Sequence, residues 1–115
     1  MTEIVRNNSQ AIADFLNEHS CRDVSVIELE NCSWTDCFVI ATVNSVGHLR
    51  GVVHQIWDLL NSLGLQVNNR HKTPAEDGWT LIDTGDIVIH LMSQELRDFY
   101  SLEKLWRTTE EKKED

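Results

Sequence analysis

Apolar residues recur along this chain with two periods, and each period predicts a kind of element. In "NNSQAIADFLNEHSC", residues 7–21, Ile12, Phe15, Leu16 and His19 return at helical steps, which places them on one side of a helix. Ser9 precedes them and is expected to cap that helix, because its oxygen can accept from a backbone N–H left open at a helix start. "DVSVIEL" (23–29) follows, with Val24, Val26 and Leu29 marking a strand, and "NCSWTD" (31–36) reads as a polar loop. "CFVIATV" (37–43) is a continuous β-branched and aromatic run, the pattern of a strand buried on both faces. Ser45 then caps a second helix in which Val46, Leu49, Val53, Ile56, Leu60 and Leu63 step by three and four, and Gly64 stands where it stops.

The rest of the chain is more broken. "LQVNNRH" (65–71) predicts a short, polar strand at a sheet edge, and "KTPAEDG" (72–78), with the only proline, a loop. "WTLID" (79–83) and "DIVIHLM" (86–92) predict two strands joined at Thr84 and Gly85 by a tight hairpin turn. "SQELRDFYSLEKLW" (93–106) predicts a helix capped by Ser93, with Glu95 near its positive end. Leu96, Phe99, Tyr100, Leu105 and Trp106 supply its apolar side. The order helix, strand, strand, helix, strand, strand, strand, helix predicts a single α/β domain over residues 1–107, with a mixed five-stranded sheet packed by helices. A helix crossing between the second and third strands allows a parallel pairing of those two, whereas the final hairpin is antiparallel. "TTEEKKED" (108–115) is charged throughout and is expected to be a disordered tail.

Charge narrows the choice of partners. Lys and Arg number 10 and Asp and Glu 19, a net charge of 10 − 19 = −9. Such a surface repels phosphate backbones, which disfavours direct sequence-specific nucleic-acid binding and favours a basic partner. With 41% apolar residues the chain can build a real core. The absence of a basic-then-apolar leader and of any run near the ~18 apolar residues of a membrane span points to a soluble, cytoplasmic protein without a membrane partner. Cys21, Cys32 and Cys37 lack zinc-knuckle or redox-pair spacing and read as buried thiols in a reducing compartment.

Candidate chemistry finds little support. Among His19, His48, His54, His71 and His90, no helical pair has the four-residue spacing that sets two rings around one ion, so no metal site is expected. Ser45 has no glycine elbow around it, and Asp36 beside Cys37 would raise the thiol pKa rather than activate it. Asp83 and Asp86 invite a nucleotidyl-transfer reading, in which carboxylates hold two metal ions. Yet no glycine precedes Ser45 in "TVNSV", the acids flank a turn far downstream, and no glycine-rich phosphate loop exists. Turn aspartates commonly bond turn amides instead. The expectation is a protein that is no enzyme and needs no cofactor.

The hairpin holds the more promising chemistry. Trp79, Leu81 and Asp83 alternate onto one strand face, while Thr80 and Ile82 take the other. An aromatic, an aliphatic and a carboxylate in line make an interface patch, with an anchor beside a group that pairs with Arg or Lys. The competing reading places Trp79 and Leu81 under a helix and lets Asp83 merely end the strand. His90, inside an apolar strand, reads as a hydrogen-bonded core histidine, and Tyr100, Glu103 and Trp106 share one side of the last helix.

Three segments, "TDCFVIAT", "GWTLIDTGDIVIHLM" and "RDFYSLEKLW", resemble in order and spacing the Iojap-like ribosomal silencing factors, over about residues 9–107. That resemblance implies a nucleotidyl-transferase-like topology without the catalytic set. It further implies a translational repressor that binds the large ribosomal subunit through its basic protein fourteen and sterically blocks the small subunit. Trp79, Leu81 and Asp83 match the strand that the family presents, with Asp86 beside it. Asp36, His90, Arg97, Tyr100, Glu103 and Trp106 match signature positions. The chain departs from the family pattern near Val43, Gly47, His48, His71 and Lys72. It would act as a monomer or a homodimer, and a large-subunit assembly factor or a divergent nucleotidyl transferase are the alternative readings.

Overall fold

Every residue of the apolar run Cys37–Val43 is buried, and this strand sits inside the sheet. The computed structural model describes residues 2–29, 35–67 and 79–100. Its elements, in order, are α1 (Glu3–Glu18), β1 (Arg22–Glu28), β2 (Cys37–Val43), α2 (Val46–Ser62), β3 (Trp79–Asp83), β4 (Ile87–Ser93) and α3 (Gln94–Tyr100). Among the described residues the sheet has four strands in the order β1-β2-β4-β3. β2 pairs in parallel with β4, from Cys37 opposite Ile87 to Val43 opposite Ser93. β1 and β3 flank this pair, each antiparallel to its neighbour. A parallel pair needs a crossover, and α2 lies on the connection that supplies it.

Strand alternation divides the core in two. Cys37, Val39, Ala41 and Val43 join Ile87, Ile89, Leu91 and Ile82 on one face, beneath Val5, Ile12 and Leu16 of α1 and Leu49, Val53, Ile56 and Leu60 of α2. Phe38, Ile40, Val88 and Met92 form a second cluster on the other face, with Ile27 and Leu29, packed against Trp79 and against Leu96 of α3. Both faces of β2 and β4 are therefore dry, which is why these strands read as unbroken apolar runs.

Several expectations are corrected. α1 begins at Glu3, capped by Thr2, whose hydroxyl accepts from the Val5 amide at 3.2 Å. Ser9 is not a cap. It is buried inside the helix, and its hydroxyl donates to the Arg6 carbonyl at 2.9 Å. Val5 extends the buried stripe of Ile12 and Leu16 one turn toward the N-terminus, and its packing lengthens the helix beyond what serine chemistry indicates. β1 carries an irregularity between Arg22 and Ser25, with Asp23 at φ 50°, and it buries Ile27 while leaving Val26 exposed. β4 starts at Ile87, so Asp86 belongs to the turn. Of the predicted fifth strand, residues 65–67 are not in a strand, and residues 68–71 lie outside the described residues.

Other expectations hold. Ser45 caps α2 by accepting from the His48 amide at 3.0 Å, and Gly64 takes φ 72° at the helix end, a left-handed conformation that glycine adopts at no steric cost. Ser93 accepts from the Leu96 amide at 3.3 Å at the start of α3.

Candidate docking face

The turn between β3 and β4 shapes the patch. Gly85 has φ 94°, where a β-carbon would strain the backbone. The Thr84 amide and hydroxyl both donate to the Ile87 carbonyl, at 2.9 and 2.8 Å. Asp83 Oδ1 accepts from the Gly85 amide at 2.8 Å, the turn-closing role that competes with a catalytic one. Asp86 is exposed, and its carbonyl accepts from the amides of Asp36 and Cys37, at 3.0 and 3.1 Å. Asp36, half-buried, thereby leads β2 into register beside β4.

The ladder confirms the predicted alternation. Ile82 stands opposite Ile89 and Thr80 opposite Leu91, both on the face covered by α1 and α2. Trp79, Leu81 and Asp83 take the other face. They differ in depth. Leu81 is 38% exposed, whereas Trp79 and Asp83 are half-buried. The Trp79 ring packs on the second core cluster. Trp79 is thus neither a core residue nor a free anchor: one side rests on the sheet.

Behind this patch lies His90, directly opposite Leu81 in the β3–β4 ladder and only 4% exposed. Its ring meets Phe38 edge-on at 4.6 Å between centroids and lies 6.2 Å from the Trp79 ring. Neither ring nitrogen has a hydrogen-bond partner among the described residues. His90 is a core histidine, as its apolar strand indicates, but it is not the hydrogen-bonded one expected. Burial pulls its pKa down to about 4, so the ring is neutral at pH 7.

Arg97, buried on α3, has a structural role. Its guanidinium donates to the Thr42 hydroxyl at 2.9 Å and to the Ser25 hydroxyl at 3.2 Å, and it reaches the Arg22 carbonyl at 3.5 Å. It ties α3 to β1 and β2. Tyr100 is the last residue of α3; its side chain, and the whole of Glu103 and Trp106, lie outside the described residues.

Burial pushes the Cys37 thiol up to about 12, helped by the carboxylates of Asp36, Glu28 and Asp86, and burial pushes Cys21 up to about 11. Both are unpaired buried thiols. His48 is a bridge, accepting from the Asn44 amide on Nδ1 at 2.9 Å and lying 2.7 Å from the His19 carbonyl through Nε2. Among the described residues, no group of three or more His, Cys, Asp or Glu is placed to hold a metal ion, and no helix is long and apolar enough to cross a membrane. Sequence reasoning missed two participants, Phe38 behind His90 and the Thr42–Ser25 hydroxyl pair around Arg97. Their alternation was readable, but the neighbours depend on strand order.

These features define a single α/β domain whose mixed sheet is packed by helices on both faces. The chain belongs to the ribosomal silencing factors: the family described as Ribosomal silencing factor during starvation, RsfS, matches residues 2–115. It is 34% identical over 101 residues to a ribosomal silencing factor RsfS of Treponema pallidum (strain Nichols), covering 86% of this chain and 89% of that protein. A mouse protein named mitochondrial assembly of ribosomal large subunit protein 1 is 35% identical over 98 residues, which are 83% of this chain and 43% of the mouse protein. A crystal structure from Chromobacterium violaceum shares the fold, with a TM-score of 0.79 at 22% identity, over 92% of this chain and 87% of that one. Members of the family are named as regulatory factors rather than enzymes.

Proposed function

We propose that this protein represses translation by docking on the large ribosomal subunit, through its basic protein fourteen, and by blocking the small subunit with its bulk. The observation that carries the reading is the face on which exposed Leu81 stands between half-buried Trp79 and Asp83, with Asp86 exposed at the turn. A net charge of −9 steers such a face toward a basic protein and away from bare RNA. Trp79 and Leu81 supply affinity through desolvation, and the carboxylates set orientation and on-rate. The protein needs no cofactor and performs no reaction. On this reading its sheet is a nucleotidyl-transferase-like scaffold without the catalytic set, residues 1–107 act as one domain in the cytoplasm, and residues 108–115 are a charged tail.

The test is subunit joining followed by light scattering. Large subunits are preincubated with the protein before small subunits are added. Dose-dependent loss of joining is expected. Tight binding with normal joining would favour a second reading, a large-subunit assembly factor, which the name of the mouse relative supports. No binding to the large subunit would overturn both.

A further inference from the structure

A neutral imidazole carries one N–H donor and one acceptor nitrogen, and in His90 both are buried without a partner among the described residues. The edge-on contact with Phe38 is a weak substitute for a hydrogen bond. The neighbours along β4 are Ile87, Val88, Ile89, Leu91 and Met92, so an apolar side chain at position 90 would suit the free fold better. Position puts the ring within reach of the docking face. His90 shares that face with Trp79, Leu81 and Asp83, and the partly exposed Leu81 is its cross-strand neighbour. The imidazole is therefore buried beside a partly exposed neighbour.

We infer that His90 is a recognition residue of the docking face, whose acceptor nitrogen receives a hydrogen bond from a Lys or Arg side chain of the basic partner. This rests on the docking reading above and deepens it. Reaching the ring requires the partner to displace Leu81, its partly exposed cross-strand neighbour. Asp83, two residues along from Leu81, stands on the same face, one carboxylate oxygen held by the Gly85 amide. Burial keeps the ring neutral at pH 7, so the acceptor nitrogen stays available. The arrangement selects its partner, because one without a donor at this place leaves the nitrogen unsatisfied.

Two substitutions of nearly equal shape separate recognition from packing. His90→Gln keeps a donor and a strong acceptor, whereas His90→Met keeps no donor and only a weakly accepting sulfur. Binding to purified large ribosomal subunits is measured by co-sedimentation beside the wild type. The expected result is that His90→Met binds roughly tenfold more weakly than His90→Gln, while free His90→Met melts at the same or a higher temperature. Equal affinities of the two variants would overturn the inference and leave His90 a packing residue. Failure of the wild type to bind would overturn the docking reading instead. A readout without substitution guards against a variant that does not fold. In wild-type chain labelled with ¹⁵N-histidine, the His90 ring resonances should shift when isolated large-subunit protein fourteen docks, and unchanged resonances in the complex would overturn the inference.

Discussion

Leu81 and His90 face each other across the β3–β4 ladder, the first 38% exposed and the second 4%. One cross-strand step thus leads from the proposed contact surface to a buried imidazole without a hydrogen-bond partner among the described residues. Trp79, packed over the same cluster, joins the two layers.

Trp79 should contribute to both binding and stability. Trp79→Ala is expected to weaken large-subunit binding at least tenfold, since a desolvated tryptophan anchor is worth ~2 kcal/mol or more. It should also lower stability by about 1–3 kcal/mol, because the ring packs on the second core. Circular dichroism should still report a folded protein. An unfolded variant would assign Trp79 to the core alone.

Leu81 offers a cleaner separation. Its exposure means that Leu81→Asp should change the melting temperature by only a few degrees. Binding to large subunits should fall on the order of tenfold or more, because a charge would sit in an apolar contact. Unchanged affinity in a titration would remove Leu81 from the interface.

Acid should destabilise the fold through His90. The folded ring has a pKa lowered to about 4, against an ordinary value of 6.5. Between these pH values the unfolded chain binds the proton and the folded chain does not, so stability is complete above this window and falls as pH drops through it. The loss attributable to this group approaches ~3 kcal/mol at the acid end. Urea unfolding at about pH 4.5 and about pH 7.5 should therefore show a smaller pH difference in His90→Met than in wild type. Identical differences would disprove this origin.

Arg97 holds α3 onto β1 and β2 through Thr42 and Ser25. Arg97→Met should destabilise by about 2–3 kcal/mol, since it removes charged hydrogen bonds and strands the Thr42 hydroxyl. Chemical denaturation should show a lower midpoint. A midpoint equal to wild type would mean that the guanidinium bonds contribute nothing net.

Local features were legible in proportion to their periodicity. α2 reads directly from its apolar steps, with Ser45 and Gly64 at its ends, because 3.6-residue geometry and capping chemistry are local. The hairpin reads equally well, since alternation places Trp79, Leu81 and Asp83 on one face whatever the sheet around them. The start of α1 did not read, because Ser9 satisfies its hydroxyl on the Arg6 carbonyl while Val5 finds the core.

By itself, then, the sequence determined the buried strand Cys37–Val43, the amphipathic α2, the β3–β4 hairpin and the motifs that place the chain among the silencing factors. Only the tertiary structure decided that β2 lies parallel to β4, that Arg97 reaches Ser25 across 72 residues of chain, and that His90 lies between Phe38 and Trp79 with neither nitrogen bonded among the described residues. The reason is physical. Backbone geometry sets which side chains share a face, and it acts over a few residues. Which face meets which is set by burying apolar area between distant segments, and no local pattern encodes that choice.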